Sequence, residues 1–205
     1  MVQRLTRVLS IPTLYRLLQY TIAGPSAYED LVHDYIRPKS GDRILDIGCG
    51  PAYILHYMPA VDYVGFDENP RYIAFAQSKL GDRGTFYCNR VNAASLQTLG
   101  QEESFDLVLA IAILHHLDDD EAIQLFQLAR KALKPGGRFV SIDSCYVKQQ
   151  SPIARFIISM DRGRYVRQEQ EYVKLASNVF SSITVDIRHD RLRIPYTHII
   201  LECVK

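Results

Sequence analysis

The chain reads as an α/β protein: a doubly wound, mostly parallel seven-stranded sheet with helices on both faces and a C-terminal antiparallel hairpin. Short apolar runs alternate with helical patterns from about residue 43 to residue 143, the pattern of a parallel sheet covered by helices. Two later β runs, over 183–188 and 197–204, are too close for a crossover helix and so pair antiparallel. A length of 205 residues, at roughly 150 per domain, makes this a single domain with an extension. With 47% hydrophobic and 23% charged residues, the chain can build an ordinary globular core.

The first strand is Arg43-Ile44-Leu45-Asp46-Ile47, which ends in Gly48-Cys49-Gly50. A short helix over about 52–58 follows, stopped by Pro59. The second strand covers 61–66 and ends at Asp67. Asn69 and Pro70 then cap and open a helix that Gly81 closes. Residues 85–91 form a third strand ending at Asn92, and 105–114, apolar almost throughout, form a fourth that is buried on both faces. Asp118 to Asp120 put acids at the positive end of the next helix, and Ala122, Leu125, Phe126, Ala129, Ala132 and Leu133 keep helical spacing along it. Lys134-Pro135-Gly136-Gly137 ends that helix, and 138–143 is the fifth strand. Residues 151–180 read as helical and basic. The single domain over 1–205 thus divides into a helical leader (1–40), a core (41–143), a helical cap (144–182) and the hairpin (183–205). The leader is expected across the carboxyl ends of the strands, as a lid.

Several function classes drop out. No uncharged stretch reaches the length of about 18 residues that marks a membrane span. Arg4, Arg7 and Arg16 break up the apolar leader, which is therefore no secretory signal. Cys49, Cys88, Cys145 and Cys203 lie far apart without a CxxC pair, so neither a metal site nor a disulfide framework is expected, and the cytoplasm is the natural compartment. A net charge of +1 gives no overall positive field for nucleic acid. Neither nucleic acid nor membrane is expected as a partner.

In an open α/β sheet the ligand lies outside the carboxyl ends of the strands. Asp46, Gly48, Gly50, Asp67, Asn92, His115, His116 and Asp143 all stand there, each after an apolar run. Gly48 and Gly50 are half of a dinucleotide fingerprint, but Tyr53 occupies the place of the third glycine, so the pyrophosphate cradle is incomplete. Asp67, 21 residues beyond Asp46, stands where a carboxylate takes ribose hydroxyls, or where it caps the helix that opens at Pro70. A ribose-containing ligand without a pyrophosphate fits better than NAD.

Leu45-Asp46-Ile47-Gly48-Cys49-Gly50-Pro51, Gly65-Phe66-Asp67, Asn92-Ala93, the stretch 105–117 with His115-His116-Leu117, and Leu133-Lys134-Pro135-Gly136-Gly137-Arg138-Phe139 occur in that order. In this the chain resembles the class I S-adenosylmethionine-dependent methyltransferases, over about residues 40–143. The resemblance implies S-adenosyl-L-methionine as cofactor and S-adenosyl-L-homocysteine as product. It implies that Gly48 and Gly50 hold the methionine part, with Asp46 orienting the loop or reaching the ammonium. Asp67 would bind the ribose hydroxyls, and Glu68 and Asn69 would border the adenine. Asn92 and Ala93 would read the ring, with asparagine standing where the family usually has aspartate. Ala110 and Ile111 would line the methionine end, and His115 would lie close to the transferred methyl.

For an amine or hydroxyl acceptor a proton must leave, and His115 or His116 is the natural base. The acceptor is expected to be a small molecule, held by Tyr15, Tyr20 and Tyr28 of the leader and by Asp143, Tyr146, Arg155, Arg162, Arg164 and Tyr165 near the cap. An RNA or protein methyltransferase, and a cofactor-binding module without turnover, are the alternatives.

Overall fold

The computed structural model describes residues 27–98, 102–160 and 163–205. Tyr15, Tyr20 and Arg162 lie outside the described residues. The strands are β1 (Arg43–Ile47), β2 (Asp62–Phe66), β3 (Gly84–Tyr87), β4 (Phe105–Ile111), β5 (Leu133–Tyr146), β6 (Arg167–Gln168), β7 (Ser182–Arg188) and β8 (His198–Val204). They form an 8-stranded sheet in the order β3-β2-β1-β4-β5-β8-β7, with β6 paired to β5 off that path. Strands β1 to β5 run parallel, and β8 is antiparallel to both β5 and β7. The α/β sheet with its terminal hairpin is as the sequence implies, with short β6 added.

Alternation along the central strands feeds two cores. Leu45, Val108, Ala110 and Phe139 enter one, while Ile44, Leu107, Leu109 and Val140 enter the other. The first face is covered by α4 (Asp119–Ala132) and α6 (Glu169–Ser177), whose Phe126 and Tyr172 are fully buried. The second is covered by α2 (Pro70–Leu80) and by α1 (Ala27–Leu31) with the π-helical turn Val32–Ile36. Arg138 donates to the carbonyls of Tyr35 and Ile36 at 3.3 and 2.6 Å. Residues 27–36 of the expected lid thus lie along a sheet face, and residues 1–26 of it lie outside those described.

Two expectations about elements are corrected. The Lys134–Gly137 stretch does not stop α4, which has already ended at Ala132; it is an irregularity inside β5, where the pairing jumps from Phe105↔Leu133 to Leu107↔Arg138. Proline and glycine are tolerated there because a bulge needs no ladder donor, and Gly136 takes φ 77°. The segment 151–180 is not one helix. Here α5 (Pro152–Ser159) is followed by β6, which pairs with Cys145 and Tyr146, and then by α6.

Helix starts match their sequence signals. Asn69 caps α2, accepting from the Arg71 amide at 3.0 Å with Pro70 in the first turn. Asp118 accepts from the Glu121 amide at 2.9 Å while Glu121 accepts from the Asp118 amide at 3.3 Å, a complete capping box for α4. Asp118→Ala should therefore lower the unfolding free energy by about 0.5–2 kcal/mol, read by urea denaturation, with the fold retained.

Candidate active site

The sheet order reverses beside β1, which lies between β2 and β4, and a crevice opens there outside the carboxyl ends of the strands. It encloses about 680 Å3 between Ile47 and Gly48 after β1, Phe66, Asp67 and Glu68 after β2, residues 89–92 after β3, Ile113, His116 and Leu117 after β4, and one side of α4.

Gly48 and Gly50 turn the chain with φ of 74° and 56°, where glycine is favoured. A Cβ on Gly48 would also fall 2.2 Å from Ile113 Cδ1, so the wall can close only on bare backbone. The turn is held from the next strand. The amides of Gly48 and Cys49 donate to the Phe66 carbonyl at 2.8 and 2.9 Å. Asp67 Oδ2 accepts from the Gly50 amide at 2.9 Å and Oδ1 from the Asn69 amide at 2.7 Å. Burial raises the Asp67 pKa, and those two amides work against it.

Behind the turn, Asp46 is 2% exposed and accepts the Tyr63 hydroxyl on Oδ2, while Oδ1 has no hydrogen-bond partner among the described residues. Burial pushes its carboxyl up to about 7; the Tyr63 hydroxyl opposes this and the neighbouring Asp67 charge adds to it. Phe66 stacks on Tyr87 with centroids 4.8 Å apart.

Other expected residues divide. Glu68 and Asn92 line the cleft. Asn92 also caps α3 (Ala93–Thr98), its side-chain Oδ1 accepting from the Ser95 amide at 2.9 Å. Asn69 is not among the lining residues, because its side chain is used as the α2 cap. Ala110 and Ile111 are absent from the lining too: strand alternation turns Ala110 into one core and Ile111 against the other, and Ile113, two residues on, meets the Gly48 turn instead.

The two histidines have different surroundings. His115 is 4% exposed, with Nδ1 2.8 Å from Asp143 Oδ1 and its amide donating to the same oxygen at 3.2 Å. Asp143 is itself fully enclosed; burial raises its pKa and His115 opposes the rise. Gly163 presses on the ring so closely that a Cβ there would fall 2.2 Å from His115 Cδ2. His116 is the one that lines the cleft, its ring centroid 4.1 Å from that of His115.

Sequence reasoning missed the residue that fixes this wall. Arg167 is 6% exposed and donates to the carbonyls of Leu114 and Leu117 at 3.1 and 2.7 Å and to Asp119 Oδ1 at 3.0 and 2.7 Å. Its only signal was membership of a basic segment, which reads as a solvated face. Among the expected acceptor residues, Tyr165 donates its amide to the His115 carbonyl at 3.0 Å. Tyr146 lies under the Arg155 guanidinium at 5.0 Å, Arg164 is exposed, and Tyr28 stacks on Tyr57 at 5.8 Å; none of these lines the cleft.

Residues 45–139 match the family model described as a methyltransferase domain. A ubiquinone biosynthesis O-methyltransferase of Cereibacter sphaeroides is 36% identical over 106 residues, which cover 50% of this chain and 41% of that protein. The chain therefore spans under half the length of that curated relative. Among solved structures, a phosphoethanolamine N-methyltransferase 2 of Haemonchus contortus in complex with S-adenosyl-L-methionine superposes with a TM-score of 0.72 at 16% identity, covering 98% of this chain and 59% of that one. A SAM-dependent methyltransferase of Archaeoglobus fulgidus does so with 0.71 at 15% identity, covering 93% and 99%. At these identities the superpositions establish the shared fold.

Asp46 offers a direct check of the site's electrostatics. The folded chain holds this proton up to about pH 7, while an ordinary aspartate releases it near 3.8. The group therefore stabilises the fold less and less as pH rises from about 4 toward 7, and its effect is constant above that. The difference in unfolding free energy between wild type and Asp46→Asn should fall across that window and then level off. A flat difference would contradict a buried, protonated Asp46.

Proposed function

We propose that this chain, whose residues 45–139 match a methyltransferase domain, is a class I S-adenosylmethionine-dependent methyltransferase that moves a methyl group from S-adenosyl-L-methionine to a small-molecule acceptor and releases S-adenosyl-L-homocysteine. The observation that carries the reading is the meeting of the Gly48–Gly50 turn and the Asp67 carboxylate in one cleft of about 680 Å3. That volume falls within the range of about 300–1,000 Å3 typical of small-molecule sites.

The residues suit the cofactor. The bare backbone of Gly48 and Gly50 admits close approach, and Asp46 Oδ1 is an unpaired acceptor behind it. Asp67 spends one acceptor position of each oxygen on an amide, and a carboxylate offers about four, so two remain for ribose hydroxyls. Glu68 and Asn92 border the part of the cleft that would take the adenine. When bound, the cofactor supplies a methyl on a positively charged sulfur, which needs no further activation.

The chain's own task is to hold the acceptor in line, keep water out and take a proton. Orientation of this kind is worth about 7–11 kcal/mol of a barrier. Ile113 and Leu117 supply apolar wall, and His116 is the cleft-lining imidazole, the group suited to take a proton from the acceptor. His115, held by Asp143, positions the loop that carries it. The cap over 144–182 would shield the acceptor end, since Gly163 and Tyr165 already close over His115.

The relatives named for ubiquinone and phosphoethanolamine chemistry act on small molecules by their names, which supports the same class here. The cleft lining sets Asp67, Glu68 and Glu121 against Arg90 and Lys131, a balance unlike the basic strip that RNA requires. The test is a mass-resolved methyl-transfer screen of metabolite fractions with isotope-labelled cofactor. A labelled small molecule is expected, and with an O–H or N–H acceptor His116→Gln should slow transfer by about 10²–10⁴-fold. Labelling confined to RNA or protein would overturn the reading.

A further inference from the structure

Every donor of the Arg167 guanidinium is used. Its Nε and Nη2 donate to Asp119 Oδ1 at 3.0 and 2.7 Å, Nη1 to the carbonyls of Leu114 and Tyr165 at 3.1 Å each, and Nη2 to that of Leu117 at 2.7 Å. A guanidinium carries five N–H donors, and this set takes them all. None is left for a substrate or cofactor. What Arg167 holds instead is one short stretch of backbone. Leu114–His116 is a single 3-10 turn, closed by the His116 amide on the Ile113 carbonyl at 3.0 Å and the Leu117 amide on the Leu114 carbonyl at 3.2 Å. So short a turn has little rigidity of its own, and it follows Ala112 with its φ of 59°. The Tyr165 amide adds a bond to the His115 carbonyl at 3.0 Å, so the carbonyls of Leu114, His115 and Leu117 are all held from residues 165–167. The pairing Cys145↔Arg167 ties that segment in turn to β5.

We propose that Arg167 is a positioning residue for the transfer reaction: by clamping the backbone on both flanks of His115 and His116, it sets where the His116 ring stands in the cleft. His116 is exposed and lines the cleft, so its ring takes its place from the backbone that carries it and from the His115 ring 4.1 Å away. Asp143 and Gly163 fix the His115 ring, and Arg167 fixes the turn beneath both. A base works only within hydrogen-bond reach of the proton it takes. A misplacement of about 1 Å from a change remote from the chemistry can cost about 10²-fold in rate. Lysine is no substitute here, because a compact ammonium cannot span the separate carbonyls and the carboxylate that the planar fork reaches together. The inference deepens the proposed transfer and rests on it in one respect, the role of His116 as the base.

Arg167→Lys and Asp119→Ala in the full chain test this. The second is the gentler change, since the Asp119 side chain is 73% exposed and its loss removes only the two bonds from Nε and Nη2. With isotope-labelled histidine, NMR follows the His116 ring signal, assigned by its disappearance in His116→Gln. Both variants should shift and broaden the His115 and His116 signals, Arg167→Lys the more, while calorimetry finds S-adenosyl-L-homocysteine bound about as tightly as by wild type. With the metabolite fraction that takes the label in the methyl-transfer screen, Arg167→Lys should lower the maximal rate by about tenfold to a hundredfold at a nearly unchanged KM for S-adenosyl-L-methionine. A purely structural role would lower the melting temperature and leave the folded-state spectrum as it is. Wild-type histidine signals in both variants, an undiminished maximal rate in Arg167→Lys, or a loss that falls on cofactor affinity instead would overturn the proposal. If Arg167→Lys does not fold, the spectrum of Asp119→Ala decides. The spectra need no acceptor, so a screen that labels no small molecule would sink the substrate reading and still leave Arg167 to be judged by NMR.

Discussion

Two backbone amides from neighbouring turns converge on the Asp67 carboxylate, and the cleft depends on that junction. The Gly50 amide comes from the turn after β1 and the Asn69 amide from the entry to α2. A turn built on two glycines with positive φ has little stiffness of its own, since glycine has the most freedom to lose on folding. Asp67 and the Phe66 carbonyl provide that stiffness from β2. The same residue that faces the cleft therefore also shapes it, while the helix cap that its position also suggested falls to Asn69.

The opposite wall solves a harder problem. The chain leaving β4 must turn sharply, and Ala112 adopts φ 59°, a conformation that costs an ordinary residue energy and persists only when its surroundings over-determine it. Those surroundings are Arg167 on the carbonyls of Leu114 and Leu117, Asp143 on the His115 amide and ring, and Gly163 against the ring's far edge. A planar guanidinium suits this work, because its fork of donors reaches three carbonyls, those of Leu114, Leu117 and Tyr165, and a carboxylate at once. The cap segment is thus part of the site's architecture even though its arginines do not line the cleft.

Much of this was legible in sequence, and the exceptions share a cause. The strands follow from apolar runs and the terminal hairpin from its short connection, which are local. Gly48, Gly50 and Asp67 announce themselves by residue type after a strand. What stayed hidden depends on pairing register and long-range contacts. Ala110 and Ile111 stand at the right end of β4, but alternation sends both into the cores, and Ile113 closes on Gly48 because the loop turns at Ala112. Tyr63 meets Asp46 only because β1 and β2 pair in one particular register. Arg167 is one of several cap arginines until the fold brings Leu114, Leu117 and Asp119 around it. The Lys134–Gly137 stretch misleads for a different reason, since proline and glycine mark a helix stop and a strand bulge equally well.

The central claim is that the β1 turn and Asp67 together form a site for an adenosyl sulfonium cofactor and not for a dinucleotide. Calorimetric titration of the full chain with S-adenosyl-L-homocysteine and with NAD tests it most directly, with Asp67→Ala alongside. The account predicts saturable binding of S-adenosyl-L-homocysteine, none of NAD, and a loss of about 1.5–3 kcal/mol of that binding in the variant. Binding of NAD without S-adenosyl-L-homocysteine, or an affinity unchanged by Asp67→Ala in a folded chain, would contradict it.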